Sequence, residues 1–501
     1  MNNSIVQEDV VGTQQLVEEQ RNMPLFNALV NYANAHALAF DVPGHKMGML
    51  QSPLSDVLGE MTMRMDVNSM QELDLLSHPQ SVIGHAQQLA AQAFSADEAF
   101  FLVNGTTVGI LAMIMAVCAP GDSIILPRNA HRSVIDGLMM SGAKPIFVQP
   151  VIDERFGIAH GVSELAVKDA LYDHPQAKVL LLCYPSYFGS MSQLAKICQL
   201  AHEQQVTVIV DAAHGAHLGF MNEDFLDVMM AGADMATVSM HKTGGSLTQS
   251  SMLLVNNTRV NSNHVKKILN MLQTTSANYL LMSSLDVARQ QLVLHGREHF
   301  KRLKPLVEKA IATIESAGRM EVLKESYMQR QFAQNHDWTK LVIRVNDLGM
   351  TGFDVYAMLK THYNIQVELA ESYVIVAVIS MADDDESLHR LVAALKDVEK
   401  KAHATLVVPI QKIKPMTMNE VILSPREAFY AEQETIAITA SIGRISADSL
   451  MIYPPGIPLV IPGEMISQKV IDEYFYYCQN VGDVLIESQK AHHISVIKEM
   501  G

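Results

Sequence analysis

The chain has 501 residues, of which 49% are hydrophobic and 18% are charged, a composition typical of an ordered globular protein with about two to four structural units. Its 53 acidic residues outnumber its 37 basic residues, and the net charge of −16 argues against nucleic acid as a partner, because phosphate binding needs clustered Lys and Arg. This balance is compatible with a cationic small-molecule substrate.

The cysteine content and the N-terminus indicate where the protein resides. The four cysteines are sparse and show no CxxC spacing, which argues against a disulfide framework or a zinc site and favours a reducing compartment, the cytoplasm. The N-terminal residues lack a basic region followed by an apolar one, so we expect no signal peptide. The longest apolar runs, such as Val206–Val210, are far too short to span a bilayer, so we expect no membrane association.

Short apolar runs alternate with helical stretches between residues 99 and 239. The predicted strands are Ala99–Val103, Ser123–Leu126, Pro145–Val148, Val179–Cys183, Val206–Val210 and Met235–Ser239. The helical stretches between them are Thr106–Val117, Arg132–Ser141 and Gln193–Gln204. This spacing predicts βαβ units and an α/β fold with a mostly parallel central sheet. Ligands of such sheets bind at the carboxyl ends of the strands, so functional residues should directly follow strands.

The pattern changes after about residue 300. Asp286–Ala317 predicts a long helical connection. A smaller α/β unit is predicted from strand-like Lys340–Val345 and Ile365–Ile379 and from helical Gly352–His362 and Glu386–His403. Later, Thr435–Ile445 and the proline-rich Tyr453–Pro462 predict short strands and turns. We therefore expect an N-terminal arm over 1–50, a major domain over 51–300, a small α/β domain over 301–405 and a C-terminal domain over 406–501.

Three segments that follow predicted strands carry side chains suited to one kind of ligand. Asn104-Gly105-Thr106-Thr107 precedes a helix, whose free N–H groups and dipole favour a phosphate, although a simple Thr N-cap also fits. Asp211 follows Val206–Val210, where a carboxylate can keep a pyridine nitrogen protonated, and Ala213 is small enough to lie under a flat ring. An Asp that caps the next turn is the alternative.

The third segment is Ser239-Met240-His241-Lys242-Thr243-Gly244-Gly245. A Lys at a buried strand end can lose its proton and attack a carbonyl, and Ser239 and His241 can bind a phosphate. A lone Lys is usually a surface residue, but Lys242 follows Asp211 by 31 residues, about one βαβ unit, so the two can end neighbouring strands. In this order the segments predict a pyridoxal 5′-phosphate (PLP) site with a Schiff base on Lys242.

A fourth segment, Arg128-Asn129-Ala130-His131-Arg132-Ser133, again follows a strand. The imidazole of His131 could stack on the face of the ring opposite Ala213. A structural His with satisfied hydrogen bonds is the alternative for this position.

Together these segments resemble the Orn/Lys/Arg decarboxylase family of PLP enzymes of fold type I, from about residue 24 to the C-terminus. The matching sequence motifs are PGHKMG (43–48), NGTT (104–107), PRNAHRS (127–133), YPSYFG (184–189), DAAHG (211–215), SMHKTGGSLTQSS (239–251), TTSANYLLMSSLD (274–286) and YPPGIPLVIPGE (453–464). The likeness is to the short bacterial form, typified by biosynthetic arginine decarboxylases. With PGHK already at residue 43, we expect no N-terminal wing domain of the kind that longer members carry.

The resemblance implies a role for each matching residue. Lys242 would hold PLP, Asp211 would pair with the pyridine nitrogen and His131 would stack on the ring. Gly105, Thr106, Thr107, Ser239 and His241 would bind the phosphate, and Thr274 or Thr275 would reach the phosphate of a neighbouring subunit. The remaining contacts expected are Ala213 and His214 to the cofactor and Asp74 and Glu464 to the distal basic group of the substrate. The fold would build shared active sites in a homodimer or a higher homo-oligomer.

The resemblance has departures, which bear on the substrate. Leu73-Asp74-Leu75-Leu76-Ser77 stands where the family usually reads LDDLH, so an acidic residue and a His are missing. YPSYFG replaces the common NPTYFG, and Ala212 stands where Glu is frequent. The residues that would hold PLP are retained, whereas a segment near the expected substrate entrance has changed.

The predicted reaction is decarboxylation of a basic amino acid to its amine and CO₂, with arginine favoured, then lysine, then ornithine. Lys242 and His131 are both candidates for returning a proton to Cα. Two alternatives stay open. One is a PLP aminotransferase or lyase, for which Arg344 is the candidate that grips the α-carboxylate. The other is a non-catalytic homologue that binds PLP.

Overall fold

The structure, a computed structural model, describes residues 17–68, 70–221, 225–402, 416–452, 457–480, 484–486 and 490–498. Its chain forms two compact units. The first combines the residues up to Ala116 with Asp211–Lys301, and the second combines Val117–Val210 with the residues from Arg302 onward. The predicted division into an arm, a major domain, a small domain and a C-terminal domain stays a prediction. Residues 1–16 of the predicted arm, 453–456 of the predicted proline-rich segment and 403–415 around the predicted boundary at 405 lie outside the described residues.

The helices of the described chain are mostly short. In chain order they are α1 (Pro24–Asn34), α2 (Pro53–Leu58), α3 (Glu60–Met65), α4 (Val82–Ala93), α5 (Gly105–Val117), α6 (Arg132–Ser141), α7 (Glu164–Asp173), α8 (Leu194–Glu203), α9 (Ser262–Leu272), α10 (Tyr279–Gln291), α11 (Arg297–Glu315), α12 (Glu325–Phe332), α13 (Gly352–Tyr363), α14 (Asp385–Lys401), α15 (Pro425–Tyr430) and α16 (Gln468–Asn480). Two π-helical turns occupy Met240–Gly244 and Leu292–Gly296. Among the described residues, no helix is both long and apolar enough to cross a membrane.

The strands are two to five residues long. In chain order they are β1 (Glu98–Leu102), β2 (Ser123–Pro127), β3 (Lys144–Val148), β4 (Ile152–Asp153), β5 (Ile158–Ala159), β6 (Val179–Cys183), β7 (Ser190–Met191), β8 (Thr207–Asp211), β9 (Met235–Val238), β10 (Ser251–Val255), β11 (Glu321–Val322), β12 (Asn335–His336), β13 (Lys340–Arg344), β14 (Leu369–Ala370), β15 (Val374–Val378), β16 (Gln433–Ala437), β17 (Leu450–Ile452), β18 (Ile457–Val460), β19 (Val484–Ile486) and β20 (His493–Ile497).

In the first unit, strands β1, β10 and β9 lie side by side and pair antiparallel. Every residue of β10 and β9 is buried, which agrees with their continuous apolar sequences. Helix α5 crosses this layer at Gly109, where an added Cβ would lie 2.4 Å from Thr237 Oγ1 and 2.9 Å from Leu102 Cδ1. Only glycine allows the helix that starts at the predicted phosphate turn to approach β9 this closely.

A buried ion pair fixes the N-terminal helix of the first unit. The carboxylate of Asp286 in α10 accepts hydrogen bonds from the backbone N–H groups of Leu25 and Phe26, at 3.0 and 3.3 Å. These groups belong to the first turn of α1, where N–H groups have no partner within the helix. Arg289 donates to Asp286 at 2.7 Å, and both side chains are fully buried.

In the second unit, β2 pairs in parallel with both β3 and β6. A separate four-stranded sheet has the order β11-β13-β15-β14 and is antiparallel. Further along the chain, β16 pairs with β20, and β17 lies between β18 and β19. A cluster of buried apolar side chains that includes Leu450, Val470 and Val496 forms the core of this C-terminal part.

The α/β fold class is confirmed, and the predicted strands and helices between residues 99 and 239 are present within one or two residues of their expected ends. The predicted parallel arrangement holds for β2, β3 and β6, whereas β10, a strand that was not predicted, pairs antiparallel with both β1 and β9. The sequence pattern did not reveal this difference, because buried parallel and buried antiparallel strands have the same apolar composition.

Candidate active site

The structure brings two of the predicted phosphate-binding segments together. Gly105, the first residue of α5, has φ +70°, a conformation that favours glycine, and its N–H donates to the carbonyl oxygen of Gln249 at 2.8 Å. Thr106 Oγ1 lies 3.1 Å from Ser239 Oγ, and Ser239 is fully buried. The N-terminal turn of α5 and the end of β9 therefore present two hydroxyl groups side by side.

Asp211 is the last residue of β8, and Ala213 lies in the turn that follows. The side chain of Asp211 is 5% exposed and that of Ala213 is 9% exposed. Asp211 Oδ1 accepts a hydrogen bond from the N–H of Ala213 at 3.1 Å, and the N–H of Ala212 donates to the carbonyl of Thr237 in β9 at 3.0 Å. Asp211 therefore caps the following turn, as the alternative interpretation proposed, and this hydrogen bond fixes the carboxylate at the end of its strand.

Lys242 lies on the π-helical turn Met240–Gly244 and is exposed, although β9 before it is completely buried. Its Nζ lies 3.0 Å from Nε2 of His214, three residues after Asp211. The strand that precedes Lys242 is therefore buried, as expected, whereas the side chain of Lys242 is exposed. The turn carries the amine out of the buried layer to a position where a ligand can reach it.

His241 contacts the loop before β10. Its Nδ1 lies 3.1 Å from the carbonyl oxygen of Ser250, and a carbonyl only accepts, so Nδ1 carries a proton. Burial lowers the pKa of His241, the Ser250 carbonyl raises it, and the charge of Lys242 lowers it further. A phosphate anion nearby would favour the charged imidazolium and would oppose this shift.

Thr274 and Thr275 are exposed in the single chain. The preceding residue, Gln273, accepts a hydrogen bond from the N–H of Val103 at 3.0 Å and donates one to the carbonyl of Phe101 at 3.3 Å. The two threonines therefore start directly after a residue that is bonded to the end of β1. Their predicted contact with a neighbouring subunit stays a prediction.

His131 lies in the second unit, as the exposed N-cap residue of α6. Its Nδ1 accepts a hydrogen bond from the N–H of Ser133 at 3.2 Å and lies 2.8 Å from Ser133 Oγ. Because a backbone N–H can only donate, the neutral imidazole carries its proton on Nε2. Its predicted stacking on the ring stays a prediction.

Glu464, expected to contact substrate, is fully buried in the second unit. Its two oxygens accept hydrogen bonds from Arg128 Nη1 and Nη2 at 2.7 and 2.9 Å, and one of them also accepts from Asn419 and from the N–H of Ile461. Arg128 is in the same segment as His131, and the prediction gave it no role. The carboxylate of Glu464 is therefore engaged in holding this segment.

Asp74, the other residue expected to contact substrate, has its carboxylate occupied by the backbone. The N–H groups that donate to it, at 2.7–3.3 Å, are those of Leu75, Gln80, Ser81, Ile83 and Gly84. Burial alone raises the pKa of Asp74, but the hydrogen bonds from Ser81, Gln80, Leu75 and Gly84 outweigh it and lower the pKa below its usual value. This geometry caps the start of α4 and leaves no oxygen directed to a ligand cation.

The residues of the first unit fit PLP. The glycine turn and the hydroxyls of Thr106 and Ser239 suit a phosphate, the buried carboxylate of Asp211 suits a pyridinium nitrogen, and the exposed amine of Lys242 suits an aldehyde. Among the described residues there is no cluster of three or more His, Cys, Asp or Glu side chains that could hold a metal ion.

Comparison with known proteins gives consistent matches. Residues 23–387 match the model of the Orn/Lys/Arg decarboxylase major domain, and residues 402–485 match that of the Orn/Lys/Arg decarboxylase C-terminal domain. The chain is 43% identical over 456 residues to an arginine decarboxylase of Bacillus anthracis, covering 90% of this chain and 92% of that one. It is 40% identical over 491 residues to an arginine decarboxylase of Bacillus subtilis, covering 96% and 99%. A crystal structure of a lysine decarboxylase from Francisella novicida has the same fold, with TM-score 0.81, 20% identity and coverage of 95% and 81%.

Proposed function

The chain belongs to the Orn/Lys/Arg decarboxylase family, and from this premise we propose that it uses PLP to decarboxylate arginine. The observation that carries the proposal is the placement of Lys242, Asp211, Thr106 and Ser239 within one compact unit, at the ends of its helix and strands. Lysine and ornithine rank behind arginine, because the relatives at 40–43% identity are named arginine decarboxylases, whereas an inducible lysine decarboxylase of Escherichia coli and an ornithine decarboxylase of Haemophilus influenzae are 22% and 24% identical.

The residue roles follow from the chemistry of the side chains. Gly105, Thr106, Thr107, Ser239 and His241 bind the phosphate. Asp211 would hold the ring nitrogen protonated, Ala213 and His214 would contact the ring, and Lys242 would hold the cofactor covalently. The family resemblance also implies ring stacking by His131 and a phosphate contact by Thr274 or Thr275 of a neighbouring subunit.

PLP, when bound, accepts the electron pair that the departing carboxyl group leaves on Cα. The protein supplies position and protons. The buried carboxylate of Asp211 keeps a proton at the pyridine nitrogen, which makes the ring a better electron acceptor. The hydroxyls of Thr106 and Ser239 fix the phosphate end, so that the bond to the carboxyl group is held in one orientation.

The distal cation of the substrate does not have its partner in Asp74 or Glu464 in this proposal. Both carboxylates already accept hydrogen bonds from their own surroundings, and diverting either of them would leave buried donors unsatisfied. The two residues are instead structural supports of α4 and of the segment that carries His131.

An aminotransferase is less well supported. The candidate residue for gripping an α-carboxylate, Arg344, donates two hydrogen bonds to Asp347, at 2.9 and 3.0 Å, and lies near Glu321 as well. A guanidinium engaged with two carboxylates of its own chain is not available to a substrate carboxylate.

A homodimer in the cytoplasm is part of the proposal, with amine production for polyamine biosynthesis as its role. Ten large apolar side chains that are exposed in the single chain lie on the segment 38–75: Leu38, Phe40, Val42, Met49, Leu50, Leu54, Val57, Leu58, Met61 and Leu75. Exposed apolar surface of this extent is typical of an interface. None of the four cysteines forms a disulfide bond, in keeping with a reducing compartment.

The test is CO₂ release by the purified, PLP-loaded protein from arginine, lysine, ornithine and a panel of other amino acids in parallel. We expect release from arginine with the highest kcat/KM. Release from lysine or ornithine in preference would correct the substrate. Transfer of the amino group to a keto acid without CO₂ would favour the aminotransferase, and bound PLP without any turnover would favour a non-catalytic homologue.

A further inference from the structure

His214 is in direct contact with the lysine of the candidate site. Its Nε2 lies 3.0 Å from Lys242 Nζ. His214 is 6% exposed and belongs to the turn after β8, whereas Lys242 is exposed on the π-helical turn after β9. The contact therefore joins the Asp211 turn to the Lys242 turn through one pair of nitrogen atoms.

Two nitrogens at this distance must share one proton, because two lone pairs or two N–H groups facing each other would repel. A free imidazole titrates near pH about 6.5 and a free alkyl ammonium near about 10.4, so the proton belongs to the lysine and a neutral imidazole accepts from it. Such a hydrogen bond favours the charged form of the lysine. Once the imidazole itself is protonated, two cations face each other and the bond is lost.

We propose that His214 is a positioning residue that holds the amine of Lys242 and sets its protonation, so that Lys242 is the proton donor in the reaction. This proposal rests on the proposed function. As the Cα–carboxyl bond breaks and CO₂ leaves with its oxygens, the electron pair stays on Cα. An Nζ–H bond of the Lys242 ammonium then breaks, and its proton forms the new C–H bond. The neutral Lys242 amine that remains would bond again to the aldehyde carbon of the cofactor as the bond from that carbon to the product nitrogen breaks, and one Nζ proton would pass to the departing amine.

The contact with His214 also restricts the conformations of the exposed lysine side chain. An exposed Lys side chain has many rotamers and loses roughly 2 kcal/mol of conformational free energy when it is fixed. His214 is almost completely buried and so offers a fixed acceptor. Other titratable groups on the surrounding segments are Asp211 in the same turn, His241 beside Lys242, and the buried His217 that contacts Phe300.

The test measures Lys242 directly in the cofactor-free protein. The rate at which an amine-acylating reagent labels Lys242 is followed by peptide mass spectrometry between pH 5 and pH 9, in the parent protein, His214→Gln and His214→Leu. The exposed Lys304 in each digest serves as the internal reference for reagent reactivity. Glutamine keeps a hydrogen-bond acceptor but does not titrate, and leucine removes both properties. Circular dichroism and size-exclusion chromatography confirm that each variant is folded.

In the parent protein the labelling rate should rise tenfold per pH unit at low and at high pH, with a flattened region between, where His214 loses its proton. Above this region the labelling rate should be lower, by about tenfold or more, than the low-pH limb would give if it were extended, because each pKa unit changes the fraction of reactive amine tenfold. Neither variant should show the flattened region. At neutral pH, His214→Leu should label faster than the parent by a similar factor, and His214→Gln should lie between them. A parent profile without the flattened region, or one that persists in both variants, would overturn the proposal.

A second measurement uses the PLP-loaded protein. If Lys242 delivers its proton to Cα under the control of His214, then His214→Leu should increase the share of turnovers that end with the cofactor converted to its amine form and an aldehyde product. An unchanged share would contradict the proposal. The labelling experiment needs neither PLP nor substrate, so it gives a result even if no amino acid releases CO₂.

Discussion

Arg128 and Glu464 form a bidentate ion pair that is almost completely buried, with side-chain exposures of 1% and 0%. Besides Glu464, the guanidinium donates to the carbonyl oxygens of Thr417 and Leu459, both at 3.0 Å, and it lies 4.7 Å from the ring centre of Phe147. The two partners are 336 residues apart in the chain. The pair ties the segment that carries His131 to the C-terminal part of the second unit.

Glu464→Gln should strongly destabilise the protein. A buried charge that loses its partner costs about 3–5 kcal/mol, because the guanidinium stays out of water without a counter-charge. The amide also places an NH₂ group against guanidinium donors. The midpoint of thermal or urea unfolding measures the loss.

The matched control is Glu434→Gln, which breaks the pair between Glu434 and Arg444. The Glu434 side chain is 43% exposed, so its removal should cost at most about 1 kcal/mol. If both variants unfold at the same midpoint, Glu464 does not hold the second unit together. If Glu464→Gln instead folds normally and raises only KM, the original prediction of a substrate contact regains support.

Lys242→Ala should abolish CO₂ release and also the retention of PLP after reduction with borohydride, since it removes the amine that would bond covalently to the cofactor aldehyde. Absorbance of the dialysed, reduced protein measures retention independently of activity. Lys304→Ala, which alters an exposed lysine on α11, should leave both properties unchanged. Substantial decarboxylation by Lys242→Ala would refute the assignment of this lysine.

Gly109→Ala should destabilise the first unit, because its Cβ would lie 2.4 Å from Thr237 Oγ1 and 2.9 Å from a methyl group of Leu102. Overpacking of this kind costs roughly 1–3 kcal/mol. Gly44→Ala is the control, since nothing lies within 4 Å of its added Cβ. An equal unfolding midpoint for the two variants would show that α5 can move away from β9 at little cost.

The sequence predicted the elements around the candidate site because their signals are local. Each of these strands is an apolar run that ends directly before a distinctive residue group: Gly-Thr-Thr, Asp or Ser-x-His-Lys. The sequence therefore predicts both the strand and the residues at its end, and in the structure Thr106 lies next to Ser239. The contact of His214 with Lys242 had no such signal, since it joins two turns 28 residues apart.

The expected substrate contacts of Asp74 and Glu464 stay predictions, but both carboxylates accept hydrogen bonds from their own chain, which composition does not reveal. The sequence of a family motif is the same whether the carboxylate of its acidic residue binds a ligand or accepts hydrogen bonds from buried donors of its own chain. For Glu464 the donor comes from Arg128, far away in the sequence, so no local pattern could identify it. For Asp74 the donors are nearby, but they become visible only once the loop up to Gly84 is folded around the carboxylate.

Asp74→Asn should lower stability at neutral pH without a large change in KM, which separates the capping role from the predicted substrate role. The hydrogen bonds from the backbone lower the pKa of Asp74 in the folded state below the usual value of 3.8, so the charged carboxylate stabilises the fold. This stability is fully present above pH about 4 and is lost as the pH falls through the folded-state pKa, because protonation removes the charge that the N–H groups bind.

The difference in unfolding midpoint between the parent and Asp74→Asn should therefore shrink on acidification below pH about 4. Asp385→Asn, a change at an exposed position, should show little difference at either pH. A rise in KM with unchanged stability would return Asp74 to the substrate site.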